Sequence, residues 1–65
     1  MSIRDIIAEL KAEAYVQHST MQIHVNLTDK QTGENYLFSY ENWGLAPLVA
    51  IEMARASLAR EWKGY

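Results

Sequence analysis

Residues 20–41 read TMQIHVNLTDKQTGENYLFSYE, and this stretch decides the fold. From Thr20 to Thr28 the side chains alternate strictly. Met21, Ile23, Val25 and Leu27 fall to one side, with Gln22, His24, Asn26 and Thr28 to the other. A repeat of two places those sets on opposite faces of a half-buried strand. Asp29 to Glu34, DKQTGE, supplies a turn-forming Asp and a Gly33 able to adopt positive φ, and a second strand follows from Asn35 to about Glu41. If Asp29 pairs with Glu34, Leu27 lies opposite Tyr36, Val25 opposite Phe38 and Ile23 opposite Tyr40. Both strands then offer their large apolar groups to one core. The other face carries Gln22 opposite Glu41, His24 opposite Ser39 and Asn26 opposite Leu37.

On the N-terminal side, Ser2 and Asp5 resemble a capping box. Ile3, Ile6, Ile7, Leu10 and Ala14 then recur at helical spacing, which predicts an amphipathic helix over about 2–16. On the C-terminal side, Asn42, Trp43 and Gly44 break the strand. A second helix is expected over about 45–63, with Pro47 in its first turn and Gly64 ending it. The expected fold class is α+β: helix, antiparallel β-hairpin (20–28 and 35–41), helix, with the helices packed on one face of the hairpin. With 65 residues and no repeat or linker, 1–65 is a single domain.

The second helix is apolar over most of its circumference. Leu48, Ile51, Ala54, Leu58 and Trp62 form one stripe, with Arg55 at its edge; Val49, Met53 and Ala56 form another. One hairpin cannot cover both. Either the first helix fills the second side or another molecule does. Ala46, Ala50, Ala54, Ala56 and Ala59 would let a second helix approach closely, which points to a homodimer through Val49, Met53 and Ala56.

Composition narrows the function. There is no cysteine, which removes disulfides and thiolate zinc sites. His18 and His24 stand six apart and match no usual metal spacing, so no metal is expected. A formal charge of −2 gives no field for holding a phosphate backbone, so direct nucleic-acid binding is not expected. Leu45 to Ile51 is far short of the about 20 apolar residues that cross a bilayer, and the first residues do not read as a signal peptide. A cytoplasmic protein with no membrane partner is the expectation.

Catalytic chemistry finds little support. His24, Ser39 and Glu41 share the polar hairpin face, yet an open two-stranded face offers neither a pocket nor oxyanion donors. Glu9 and Glu13 read as a solvated helix face. Gly33, Gly44 and Gly64 are isolated and build no phosphate loop, so no cofactor is expected. Tyr36, Phe38 and Tyr40 share their face with aliphatic residues and read as core. The chain reads as a non-enzyme; a small enzyme using His24 is the third choice.

Aromatic surface remains. Trp43, Trp62, Tyr15 and Tyr65 cannot all enter so small a core, and Arg55, Arg60 and Trp62 lie on one helical segment. Trp, Tyr and Arg dominate binding hot spots, so Trp43, Arg55, Arg60 and Trp62 are the candidate partner-binding residues. The hairpin edges are a second route to a partner.

The hairpin TMQIHVNLTDKQTGENYLFSYENW (20–43) followed by the helix LAPLVAIEMARASLAREW (45–62) resembles, in scale and organisation, the very small inhibitor proteins of bacteriophages, such as anti-CRISPR proteins and the phage inhibitors of uracil-DNA glycosylase. The resemblance implies a viral inhibitor that covers a surface on a larger host defence or DNA-processing protein, in the host cytoplasm. It assigns no residue a role, and the chain lacks the strong acidity of DNA mimics. The alternative is a self-associating structural or assembly protein whose main partner is its own copy.

Overall fold

The computed structural model describes residues 2–41 and 44–62. Five elements follow in order: α1 (Ile3–Ala8), β1 (Lys11–Gln17), β2 (Gln22–Thr28), β3 (Asn35–Glu41) and α2 (Pro47–Glu61). The strands form one antiparallel sheet in the order β1-β2-β3. The α+β class holds, with three strands where the sequence predicts two.

The hairpin register is as expected. Leu27 pairs with Tyr36, Val25 with Phe38 and Ile23 with Tyr40, while Gln22, His24 and Asn26 face Glu41, Ser39 and Leu37. The turn holds because the Asp29 carboxylate accepts from the backbone N–H of Gln31 at 2.8 Å and of Thr32 at 3.3 Å. Asp29 N–H donates to the Glu34 carbonyl at 2.9 Å, and Gly33 takes the positive φ of 79° that a side chain would resist.

The first helix departs from expectation. It starts as read, with Ser2 Oγ accepting from Asp5 N–H at 3.3 Å, but stops at Ala8 instead of running to about 16. Residues 11–17, KAEAYVQ, form β1, which pairs antiparallel with β2 from Lys11↔Thr28 to Gln17↔Gln22. The physical reason lies in β2. Its Ile23, Val25 and Leu27 are fully buried, so it must be central, and a strand on each side satisfies its backbone groups. Ala12, Ala14 and Val16 turn toward the core while Lys11, Glu13, Tyr15 and Gln17 turn outward. The helical preference of alanine gives way to that pairing. A turn over residues 18–21 joins β1 to β2, with Met21 at a φ of 54°.

Helix α2 packs against all three strands, most closely on β1 and β2, and α1 packs against α2. The core gathers Ile7 and Leu10 from the α1 segment, Ile23, Val25 and Leu27 from β2, and Ala50, Ala54 and Leu58 from α2. Tyr36, Phe38 and Tyr40 pack beside it half-buried, as the sequence predicts for that stripe. The expected reach of α2 to residue 63 and its stop at Gly64 involve residues outside those described.

Candidate functional site

Helix α2 carries most of the expected site. Its sheet side is lined by Ala50, Ala54 and Leu58, all buried. Two of these are alanines, so the backbone of α2 lies close against the sheet. Ala50 and Ala54 therefore serve helix-to-sheet contact, whereas the sequence reading reserves them for a second helix.

The opposite side is open and mixed, with apolar residues beside the exposed Glu52 and Arg60. Val49 is 47% exposed and Met53 40%, and Ala56 is also exposed. Valine, methionine and alanine at positions i, i+4 and i+7 make one continuous stripe. Leu48 joins this open surface at 76% exposure, although the helical pattern assigns it to the core. It stands about 120° round the helix from Ala54, the middle of the buried line Ala50, Ala54 and Leu58, and so points away from the sheet.

The four hot-spot candidates separate. Trp43 lies outside the described residues. Trp62 is half-buried and tilts its ring at 51° against Tyr36, with centroids 5.8 Å apart, so it packs over the inward side of β3. Arg60 is exposed, its guanidinium donating to Ser57 Oγ at 3.4 Å. Arg55 is half-buried and reaches across to α1, donating to the Ile7 carbonyl and, at 3.3 Å, to the Leu10 carbonyl. The Ile7 carbonyl, in the last turn of α1, also accepts from Leu10 N–H at 3.2 Å, and Leu10 follows the helix directly, so Arg55 is a brace that fixes the end of α1 on α2. The structure thus brings Arg55 and Arg60 to one helix but gives them different work.

The outward sheet face holds a second cluster. His24 Nδ1 lies 2.8 Å from Ser39 Oγ, and His24 Nε2 lies 2.8 Å from Gln17 Oε1. An amide oxygen only accepts, so Nε2–H donates to Gln17 and, in the neutral ring, Nδ1 accepts from the Ser39 hydroxyl. Tyr15 tilts over the same imidazole at 5.1 Å. His24 thereby ties the three strands together. Glu41 stands opposite Gln22, and the third position of the cluster belongs to Gln17. The group lies on an open face with exposed Tyr15 and Leu37 as neighbours, at 62% and 75% exposure. Sequence reasoning places His24 and Ser39 side by side but misses Gln17, because it assigns residue 17 to the end of a helix.

Among the described residues, no group of three or more His, Asp or Glu side chains is placed to hold a metal ion, and no helix is long and apolar enough to cross a membrane. Comparison with protein-family models, with curated proteins and with solved structures returned no match.

Proposed function

We propose that this chain is a non-enzymatic protein-binding domain, an inhibitor or regulator of a larger protein, which pairs with its own copy through the outward side of α2. On this reading it works in the cytoplasm in the manner of the small bacteriophage inhibitors, against a host defence or DNA-processing enzyme. One observation carries the proposal. Leu48, Val49 and Met53 are exposed, at 76%, 47% and 40%, on the same helix that buries Ala50, Ala54 and Leu58 against the sheet. Folding gains nothing from large apolar groups in water, while association gains about 25 cal/mol for each Å² of apolar surface covered. Arg60 is exposed on the same helix and Trp43 precedes that helix in the sequence, and both are side-chain types that anchor interfaces.

The test combines light scattering with affinity capture. The wild-type chain is expected to scatter as a dimer, and Val49→Glu with Met53→Glu as a folded monomer. A tagged wild-type copy is expected to retain one larger protein in stoichiometric amount. Self-association with no captured protein would favour the assembly reading, in which the dimer is the whole function. A wild-type monomer that captures nothing would remove both.

A further inference from the structure

All three arginines of this acidic chain, Arg4, Arg55 and Arg60, line one groove of about 490 Å³ between α1 and α2. Among the described residues that line the groove, Glu52 is the one carboxylate. The groove therefore opposes the −2 charge of the whole chain. Arg55 is spoken for by the α1 carbonyls, but Arg4 and Arg60 are exposed and have no carboxylate within 4.0 Å among the described residues. The floor is apolar and shallow-sided, made by Ile7 and Ala8 from α1 and by Ala56 and Ala59 from α2. Small side chains leave the room, and its volume falls within the about 300–1,000 Å³ typical of ligand clefts.

We infer that this groove receives an acidic amphipathic helix of a partner protein, with an apolar side chain on the alanine floor and flanking carboxylates on Arg4 and Arg60. The inference rests on the reading of the chain as a protein-binding domain and names the chemistry of the partner. Charge complementarity selects the occupant. Guanidiniums pair with carboxylates in a two-pronged geometry, and the apolar floor demands a side chain that a phosphate backbone does not have. A nucleic acid would also meet only three cations and a carboxylate, too few phosphate contacts to hold it. The groove adjoins the dimer stripe at Ala56, but Arg4 belongs to α1 and lies outside that stripe.

Three synthetic helical peptides test this by calorimetry at low salt, where charge pairing is least screened. The first carries a leucine flanked by glutamates, the second has lysines for those glutamates, and the third has serine for the leucine. The first is expected to bind, with amide shifts at Ala8, Ala56 and Ala59, and the other two at least about tenfold more weakly. Arg4→Glu is expected to weaken the first peptide by about tenfold or more while keeping the melting temperature, and to gain affinity for a peptide with one glutamate changed to lysine. Arg60→Glu is a second, independent variant. No binding of the first peptide, equal binding of the lysine peptide, or tighter binding of a single-stranded oligonucleotide would each overturn the assignment. Partner capture by a protein whose groove fails these tests sinks the groove alone. Failure of capture and dimerisation together, with the peptide still bound, sinks the broader reading.

Discussion

The two sides of α2 differ in how far their apolar residues are covered. The side against the sheet buries Ala50, Ala54 and Leu58, with Ile51 and Trp62 packed beside them; the side in water has Leu48, Val49, Met53 and Ala56 among the exposed Glu52 and Arg60. Inside, small residues bring the helix close enough for the sheet to meet its backbone, and Leu58 fills what remains. Outside, Leu48 stands mostly in water, and Val49 and Met53 are partly covered. The inward side therefore answers to packing, where any change of volume is felt, and the outward side is where the proposed contact with another molecule would fall.

The largest expected effect is on the inward side. Leu58 is 5% exposed, and Leu58→Ala would remove a side chain that no neighbour can replace, at a cost of about 3 kcal/mol. In a domain this small that lowers the melting temperature by more than about 10 °C, which a thermal scan followed by circular dichroism would show. A shift below about 3 °C would mean that α2 is loosely seated and that the contrast between its sides is false.

Next in size is the brace between the helices. Arg55→Met keeps the length of the side chain but loses the bonds to the Ile7 and Leu10 carbonyls, for an expected loss of about 1–3 kcal/mol. The effect should concentrate in α1, six residues long and too short to stand alone. Amide exchange in residues 3–10 would accelerate while β2 stays protected. Unchanged exchange there would return Arg55 to the outward, partner-facing set.

The same contrast explains what could be read from the sequence. The hairpin was legible because its inward positions carry Ile, Val, Leu, Tyr and Phe, whose size leaves one period possible. Residues 11–17 also alternate, but Ala12 and Ala14 bury so little that the pattern is weak. Leu10 and Ala14 meanwhile satisfy a helical spacing by coincidence. Only the need of β2 for a second neighbour, a long-range fact, decides between them. For the site, Val49, Met53 and Ala56 were legible because a wheel separates two apolar stripes. Leu48 was not, since the buried line Ala50, Ala54 and Leu58 is rotated round the helix from the stripe that grouped Leu48 with Ile51, Ala54, Leu58 and Trp62. Arg4 was hidden for a related reason: the groove it lines exists only because α1 stops at Ala8 and turns back over α2.

The smallest expected effect tests the outward side. Leu48 is 76% exposed and lies in the first turn of α2, which has no acidic residue, and the N-cap Ala46 offers no side-chain bond to the free amides. Leu48→Glu places a negative charge beside those amides, worth about 0.3–1 kcal/mol, against a negligible change in helix propensity. The variant should therefore be slightly more stable than the wild type, read as a higher urea midpoint at unchanged slope. A loss of more than about 1 kcal/mol would show that Leu48 is held by the fold and that the outward side is less idle than its exposure indicates. A gain in stability together with weaker self-association would show that the leucine stands where folding alone would prefer a carboxylate, and that it stands there for the second molecule.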